Sequence, residues 1–466
     1  RGDEYVQWGV DESKYLKLDD IRIELTDAAG RSIASYRKSD MQWQEGFSHG
    51  TFADDIKHYY LTLAPPRYPF TIEYTYRRTG KSLLFLPGFQ VQHSIPVLAA
   101  EFEMNVPAGA ILHYRTYPCV IPPNITDDGS RRKLGWRFDG VSPLAALEYV
   151  PPGYNEPMRI AFATEPSSLE GVALESCTWE EIGRWHSRLA SDRHLPLPHG
   201  PVPVPNNPGG IVRQEYDRII SEMRYVAIEV GLGGWQPRPA ELTARRGFGD
   251  CKDLSTLLAS RLRNAGIEAY TASLLTRDLG VTDTSFPAVQ FNHVIAVALI
   301  GPDTVWMDPT CNRCPLGDLP LGDEAVMTLV TAESGGMLRR TPPSTADENS
   351  MVRRLNLHVQ PDRTVRFEAV SEITGNYATS LRNALDGATA DQQRAIVIAT
   401  FFAGTAGVLF VVLESSVFPD MLSWVLSMEI FIMCLLGGWF TFYGPMLGAA
   451  IMVGLRTFVG STTEYL

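Results

Sequence analysis

Two long uncharged stretches near the C-terminus limit the fold of this 466-residue chain more than any other feature. One runs from Ala395 to Leu413, and the other from Ile430 to Leu455. A helix of about 20 apolar residues crosses the ~30 Å hydrocarbon core of a bilayer, and each stretch is long enough to form one. We therefore predict membrane helices in residues 395–466. Helices buried in a tightly packed interior are the alternative.

Residues 1–170 have a different pattern. Short runs such as IRIELTDAAGRSIASY and FTIEYTYRRTGKSLLFLPG alternate apolar with polar residues and are separated by Gly and Pro. Alternation with period two, interrupted by turn residues at this spacing, favours an antiparallel β-sandwich. This part of the sequence contains no cluster of catalytic residue types, so we interpret it as a packing or recognition domain.

Helical patterns begin near residue 175 and define a second domain, predicted over 175–335. Thr178 and Glu181 have the spacing of a capping box, which would start a first helix. After a proline-rich loop over 194–210, the stretch IVRQEYDRIISEMRYVAIEVG repeats apolar residues at helical spacing and predicts a second helix. A further alternating stretch predicts a small C-terminal β-unit over 350–392.

Charge and cysteine content exclude several functions. A net charge of −12 without clustered Lys and Arg argues against nucleic-acid binding. Cys311 and Cys314 form a Cys-x-x-Cys motif, but no second pair or nearby histidine completes a zinc site. A disulfide between them would need an oxidising compartment. The absence of a glycine-rich phosphate loop leads us to expect no cofactor, and we expect no metal.

A cysteine follows two glycines and an aspartate in RRGFGDCKDLSTLLASRLRNAG, residues 245–266. With Asp250 as N-cap, Cys251 becomes the first helical residue and falls outside the apolar stripe of the helix. The partial positive charge at a helix N-terminus favours the thiolate form of a cysteine. Gly247 and Gly249 would leave room beside the sulfur. The position therefore suits a nucleophile better than a core filler.

His293 and Asp308 are the candidate partners of this cysteine. They lie in two predicted strands, FNHVIAVALI and DTVWMDPT, which turn at residues 300–303. Pairing 299 with 302 sets 293 opposite 308, and pairing 300 with 303 sets 293 opposite 310. Either register leaves both side chains on one face of the hairpin, because side chains alternate with period two. An aspartate there would orient the imidazole as a base for the thiol.

Each of these residues also has a structural interpretation. A cysteine at a helix start is commonly a small core residue, and a histidine that begins a strand is commonly a hydrogen-bonded structural residue. The occurrence of Cys, His and Asp together, each at the end of a predicted element, strengthens the catalytic interpretation, and the spacing alone leaves both interpretations open.

The segments GDCKDLSTLLASRLRNAGIEAY, FNHVIAVA and WMDPT, followed by CPLGDLP, resemble the signature segments of the transglutaminase-like superfamily. Residues 1–390 more narrowly resemble bacterial proteins that join an N-terminal β-sandwich domain of unknown function to a transglutaminase-like core. The resemblance implies a papain-like fold with Cys251 as nucleophile, His293 as base and acid, and Asp308 as orienting residue. It also implies an oxyanion site at the Cys251 amide and at an upstream side chain, Gln236 or Trp235.

The C-terminal segment resembles another family. Residues 397–466 are similar to the C-terminal part of a branched-chain amino-acid ABC transporter permease, but they contain too few helices to build a transport pathway. A natural fusion, or an artificial joining near residues 392–399, would explain the two resemblances.

We therefore expect a membrane-anchored α+β protein with a β-sandwich, a papain-like transglutaminase core, a small β-unit and C-terminal membrane helices. The core would carry out thiol-dependent hydrolysis or acyl transfer on a peptide or protein substrate, and the family resemblance places it outside the cytoplasm. A catalytically silent binding or scaffold protein is one alternative, and a transporter permease fragment is another. The sequence leaves the oligomeric state open.

Overall fold

The structure is a computed structural model that describes residues 7–45, 51–63, 68–147, 150–151, 153–198, 202–359, 365–386, 389 and 391–394. The chain divides into two units, residues 1–379 and 380–466. The described residues form mostly β-strands with few helices, which is an α+β architecture. The predicted membrane segment, residues 395–466, lies outside the described residues. Within the described part of the chain, no helix has the length and apolar character to cross a membrane.

The part of the chain before the first helix consists of strands. They are β1 (Gln7–Glu12), β2 (Leu16–Asp27), β3 (Ser32–Arg37), β4 (Gln42–Glu45), β5 (Thr51–Asp54), β6 (Lys57–Thr62), β7 (Phe70–Gly80), β8 (Phe89–Gln90), β9 (Val97–Pro107), β10 (Ile111–Tyr117), β11 (Asn124–Asp127), β12 (Arg131–Val141), β13 (Arg159–Glu165), β14 (Ser167–Leu169) and β15 (Val172–Leu174).

The N-terminal strands form two hydrophobic cores instead of one. The sheets β1-β6-β4 and β3-β2-β7 are antiparallel and enclose a cluster that includes Leu18 and Ile23. The sheets β10-β13-β8 and β11-β12-β9 are also antiparallel and enclose a second cluster around Trp136 and Ile160. Inward-facing apolar residues alternate with exposed ones along β2 and β12, which is the pattern that the sequence shows.

The rest of the described chain combines helices with further strands. They are α1 (Trp179–Ala190), α2 (Pro208–Glu222), β16 (Arg224–Tyr225), β17 (Ala227–Glu229), α3 (Ala240–Arg246), β18 (Phe248–Gly249), α4 (Cys251–Asn264), β19 (Glu268–Leu274), β20 (His293–Ile300), β21 (Asp303–Met307), β22 (Met327–Ala332), β23 (Gly335–Arg340), β24 (Met351–Val359), β25 (Val365–Ile373) and α5 (Gly375–Leu385).

A five-stranded antiparallel sheet in the order β21-β20-β19-β22-β23, hereafter the central sheet, organises this region. Helix α4 packs against one face of the sheet, where Leu254, Leu258 and Leu262 join residues of α2 and β19 in a large cluster of buried apolar side chains. Helix α1 packs on β22 and β23, which are the strands of the central sheet farthest from β21. The fully buried Trp185 of α1 belongs to this contact. Strands β24 and β25 pair with each other.

The predicted second helix is shorter than its apolar spacing suggested. Helix α2 ends at Glu222, and the backbone becomes extended at Met223. The next residues form β16, which pairs in parallel with β18, and β17, which pairs with β5. The β-branched and aromatic residues after Met223 favour a strand, and the pairing with β18 decides between the two. Strand β16 consequently lies beside the residues that lead into Cys251.

Helix α1 crosses β23 at very short range. Thr178 caps this helix by accepting a hydrogen bond from the amide of Glu181, but the Glu181 carboxylate accepts from the amide of Glu175, so the predicted capping box forms only in part. A Cβ atom on Gly183 would lie 2.1 Å from the Cα atom of Gly336, so the contact requires glycine. The packing of α1 on the central sheet therefore depends on two residues without side chains.

We expect Gly183→Ala to lower the free energy of unfolding by at least about 1–3 kcal/mol, because the added methyl group must push α1 away from β23. Chemical denaturation followed by tryptophan fluorescence would measure this loss. Gly209→Ala is the matched control in α2, where nothing lies within 4 Å of the added atom. We expect the control to change stability by less than about 1 kcal/mol. Equal effects of the two substitutions would contradict the proposed contact.

Candidate active site

Cys251 is the first residue of α4, and Asp250 is its N-cap, as predicted. The Asp250 carboxylate accepts a hydrogen bond from the amide of Asp253 at 3.1 Å, and the Asp253 carboxylate accepts one from the amide of Asp250 at 3.3 Å. This reciprocal capping box stops the helix from extending backwards. The cysteine is thereby held at the positive end of the helix dipole.

The place of Cys251 outside the apolar stripe suggests an open face of the helix. The structure instead buries this residue. It is only 7% exposed, and every residue from 251 to 260 is buried. The central sheet covers one side of α4, and α2 and α3 cover others. Gly249 also differs from expectation, because a Cβ atom there would lie 2.7 Å from the Cβ atom of Asp253. This glycine therefore lets the chain approach α4 closely.

A buried cation lies next to the cysteine. Lys252 is 6% exposed and forms an ion pair with Asp250, which is 1% exposed. Burial lowers the pKa of Lys252, but the charges of Asp250 and Cys251 outweigh this and raise it above its usual value. Burial raises the pKa of Asp250 to about 6, and Lys252 opposes this rise. The Lys252 ammonium therefore interacts electrostatically with Cys251 as well as with Asp250.

His293 begins β20, and the hairpin register is the second of the two considered above. Ile300 pairs with Asp303, and the ladder extends to Ala296 opposite Met307. The start of β20 is tied to α4, because the Ser255 hydroxyl donates to the carbonyl of Val294 at 3.0 Å. This bond holds the beginning of the histidine strand close to the first turn of α4.

The structure brings Cys251, His293 and Asp308 together. The Nε2 atom of His293 lies 3.5 Å from the Oδ2 atom of Asp308, and the imidazole also interacts with the Cys251 thiol. Burial lowers the pKa of His293, but Asp308 and Cys251 outweigh it, so the pKa lies well above its usual value. Because Nε2 faces Asp308, we assign the contact with the thiol to Nδ1.

Asp308 is held in place from several sides. Its carboxylate accepts hydrogen bonds from the amide of Thr310 at 2.9 Å and from the Thr310 hydroxyl at 2.8 Å. The buried Tyr216 hydroxyl donates to the Asp308 carbonyl at 3.3 Å. Burial raises the pKa of Asp308, but His293 and Thr310 outweigh it, so the pKa lies below its usual value. The carboxylate therefore stays ionised beside the imidazole.

Cys311 and Cys314 form a disulfide in the loop that follows Asp308. The same Tyr216 hydroxyl contacts the carbonyl of Cys314 at 3.2 Å, so one buried tyrosine of α2 contacts both ends of this loop. Both sulfur atoms are used by the bond. The sequence left open whether Cys311 and Cys314 form a disulfide, and the structure pairs them. While they are paired, neither sulfur can bind zinc as a thiolate.

Two residues of the site were missed by sequence reasoning. Asp323 is 2% exposed, and its Oδ2 atom lies 3.7 Å from Nε2 of His293. Tyr225 in β16 lies near Cys251 and Asp308, and burial together with these charges raises the pKa of its hydroxyl above the usual value. Asp323 sits in the segment GDEAV with no pattern to distinguish it. The apolar spacing predicts a helix through Tyr225, and this prediction gives no reason to expect the residue beside the cysteine.

Neither predicted oxyanion side chain has a described contact with Cys251. The Gln236 amide donates to the carbonyl of Leu189 at 2.9 Å, and its oxygen accepts from Arg193 at 3.1 Å. The Trp235 ring packs between Phe85 and Trp185. These contacts hold both residues against α1 and its surroundings. The assignment of Gln236 or Trp235 as oxyanion donor therefore stays a prediction, and the contacts above give both residues structural roles as well.

Cavities and potential metal ligands add two observations. A cavity of about 790 Å³ is lined by residues such as Tyr117, Arg159 and Gln290 but not by the cysteine, histidine or aspartate of the site. Among the described residues, two groups of three side chains could hold a metal ion. Within each group the potential ligand atoms lie within 4.8 Å of one another. One comprises His293, Asp308 and Asp323, and the other His113, Glu165 and Cys177. In the second group Glu165 already accepts a hydrogen bond from the Cys177 amide.

The fold is similar to that of solved bacterial structures. A crystal structure from Parabacteroides distasonis ATCC 8503, described as a "putative protease", matches with a TM-score of 0.52 and 13% sequence identity over 77% of this chain and 70% of that chain. Another from Cytophaga hutchinsonii, described as a "putative cysteine protease", covers 62% of this chain and 90% of that chain at 14% identity and a TM-score of 0.22. The first likeness shows a shared fold, and the second is too low to support an argument.

Family models match the two ends of the chain. A model described as a domain of unknown function with solved structure, DUF3857, matches residues 5–145. A model described as the permease component of a branched-chain amino acid transport system matches residues 393–465. No curated protein sequence matches the chain. The resemblance predicted for the N-terminal domain of unknown function is thus supported, while the transglutaminase-like assignment of the core depends on its own motifs.

The raised pKa of His293 predicts a pH-dependent contribution to stability. A protonated histidine with a folded-state pKa above the unfolded value of ~6.5 stabilises the fold fully below that pH. The contribution is lost as pH rises through the folded-state pKa. We therefore expect the stability difference between wild type and His293→Ala, measured by urea denaturation between pH 6 and pH 9, to be largest at pH 6 and to shrink as pH rises.

His58→Ala is the control, because His58 pairs with Asp11 at the surface. Exposed pairs contribute about 0–1 kcal/mol, so we expect a small effect. A loss for His293→Ala that stays constant from pH 6 to pH 9 would contradict the predicted charge of this imidazole.

Proposed function

We propose that this protein is a transglutaminase-like cysteine enzyme that hydrolyses or transfers acyl groups of peptide or carboxamide substrates. The observation that carries the proposal is the buried row of Cys251, His293 and Asp308, drawn from three separate segments. The protease-like fold supports it. The residues of the row supply a nucleophile, a proton carrier and an orienting carboxylate, which together are sufficient for acyl transfer.

The reaction follows from the charges of these groups. The Cys251 thiolate attacks the carbonyl carbon of the substrate and forms a tetrahedral oxyanion. The His293 imidazolium donates its proton to the leaving nitrogen, the carbon–nitrogen bond breaks, and an amine or ammonia leaves behind a thioester. Neutral His293 then takes a proton from water or from a second amine, which attacks the thioester carbon. The carbon–sulfur bond breaks, and the thiolate is restored with an acid or a new amide as product.

The surroundings of the cysteine support its role as nucleophile. The helix N-terminus and the buried Lys252 both stabilise negative charge on the sulfur. The Cys251 backbone amide lies at the start of α4, where free amides can stabilise the oxyanion. The protonated Tyr225 hydroxyl offers a further hydrogen-bond donor besides the predicted Gln236 or Trp235. No redox step or cofactor enters this reaction.

Alkylation with iodoacetamide tests the nucleophile directly. We expect Cys251 to react near pH 6.5 faster than the exposed Cys119, because its thiolate is stabilised. Cys177 should react slowest, because burial and Glu165 raise the pKa of its thiol to about 11. Mass spectrometry of peptides after timed quenching would give the rate at each cysteine. Cys119 and Cys177 are thus controls within the same molecule.

His293→Ala should slow the alkylation of Cys251 at least about tenfold at pH 6.5 and leave Cys119 unchanged, since the imidazolium partner of the thiolate is lost. Cys251→Ala should abolish turnover of amide substrates. If Cys251 reacts no faster than Cys119, and His293→Ala has no effect, the core is instead a catalytically silent binding module. This is the second class of function that the sequence left open.

We also propose that the tail anchors the protein to a membrane and that the core lies outside the cytoplasm. Support for the anchor comes from the two uncharged runs and from the permease match over 393–465. Support for the location comes from the Cys311–Cys314 disulfide, since such bonds are rare in the cytosol. A role of the tail in transport is the competing proposal.

Extraction of membranes at alkaline pH tests the anchor. We expect the full chain to stay in the membrane pellet after carbonate treatment and to enter solution only with detergent, because uncharged helices partition into hydrocarbon. A peripheral membrane protein of the same host is the control and should be released. Recovery of the full chain in the carbonate supernatant would contradict the anchor.

A further inference from the structure

A second carboxyl group lies at the same imidazole nitrogen as Asp308. The Oδ2 atoms of Asp308 and Asp323 are 3.5 Å and 3.7 Å from Nε2 of His293, and both aspartates are 2% exposed. A carboxyl oxygen of Asp323 also lies within 4.8 Å of a carboxyl oxygen of Asp308. A single N–H therefore faces two nearly equidistant acceptors.

Two buried carboxylates this close repel each other unless one of them carries a proton, and a protonated carboxyl group can donate to its neighbour. Asp308 is the ionised partner, because it also accepts from the amide and hydroxyl of Thr310. Among the described residues Asp323 has no such donors at its side chain, and its Oδ2 atom is buried without a conventional donor. The proton of the pair therefore resides on Asp323.

The backbone holds Asp323 in this position. Its amide donates to the carbonyl of Pro320 at 2.9 Å, and its carbonyl accepts a hydrogen bond from the buried Thr341 hydroxyl at 2.5 Å. Thr341 follows β23, so this bond fixes the aspartate to the far edge of the central sheet. The fold therefore fixes the backbone of Asp323, and its carboxyl group is buried beside His293.

We propose that Asp323 is a positioning residue of the catalytic site, whose protonated carboxyl group donates to Asp308 and fixes that carboxylate as the acceptor for His293. The inference rests on the proposed function for its effect on turnover. Asp323 thereby becomes a fourth residue of the group formed by Cys251, His293 and Asp308. It also keeps the charge next to the imidazole at one negative carboxylate instead of two.

The charges around Asp323 determine the pH above which it no longer donates to Asp308. The groups that influence its carboxyl are His293, Asp308 and Asp278, and burial with the two aspartates raises its pKa to about 7 against the opposing effect of His293. Above that pH, Asp323 loses its proton to solvent and a second negative charge appears beside the imidazolium. The imidazolium then becomes a weaker acid and protonates the leaving nitrogen less readily.

Substitution of Asp323 tests the proposal in the full chain. Asp323→Asn keeps a donor to Asp308 but cannot ionise, whereas Asp323→Ala removes the donor. Asp303→Asn is the matched control, because Asp303 is exposed at the turn of the same hairpin. Three properties would be measured from pH 5.5 to pH 9: kcat/KM on an amide substrate, the alkylation rate of Cys251, and the NMR titration of the His293 imidazole.

For the wild type and Asp303→Asn we expect kcat/KM to decline above about pH 7 and the imidazole signal to show an inflection there. Asp323→Asn should lose both the decline and the inflection, because its amide cannot ionise. Asp323→Ala should lower kcat/KM at pH 6 about tenfold or more, the usual effect of losing a hydrogen bond to a charged group.

The NMR titration separates failure of this proposal from failure of the proposed function. If Asp323→Asn retains the wild-type inflection of His293, Asp323 does not hold the proton and the proposal is overturned, whether or not the protein is an enzyme. If no variant turns over substrate but the inflection disappears in Asp323→Asn, the positioning role stands and the proposed function fails. Loss of the inflection on adding EDTA, with its return on adding Zn²⁺, would instead identify a cation site and overturn the proposal.

Discussion

The site depends on how the N-terminus of α4 is seated against the central sheet. The first turns of this helix are buried on every side, so the cap formed by Asp250 and Asp253 is sealed inside the protein. A buried helix end without such partners would leave amides unsatisfied, at a cost of about 1–3 kcal/mol each. The capping box removes that cost, and it also places the sulfur at the end of the helix that favours negative charge.

The other members of the row come from a hairpin and from the loop beyond it. The Ser255 bond to β20 and the contacts of Tyr216 with the loop after Asp308 join these segments to α4 and α2. The polar groups of the site thus depend on a hydrophobic core made by the same helices. Burial also makes their charges interact strongly, because the local dielectric is low. This is why one of two neighbouring aspartates is ionised while the other keeps its proton.

Local sequence signals predicted much of this site. The N-cap at Asp250, the helix that follows it, the turn at 300–303 and the shared face of His293 and Asp308 all depend on contacts between residues close in sequence. The misassigned elements show the limit of such signals. The end of α2 and the existence of β16 depend on pairing with β18, a strand that lies beyond α3 in the chain. The same pairing brings Tyr225 beside the cysteine, so this residue was missed.

The sequence by itself determined the α+β character, the cap that starts α4 and the residues of the candidate triad, because helix caps, turns and strand alternation are local. Only the tertiary structure decided that Cys251 is enclosed, that Gln236 and Trp235 serve the packing around α1, and that Asp323 reaches the imidazole. Those facts arise from segments brought together by the burial of apolar side chains. A hydrophobic pattern states which faces are buried, but it does not state which distant polar groups will share the resulting low-dielectric space.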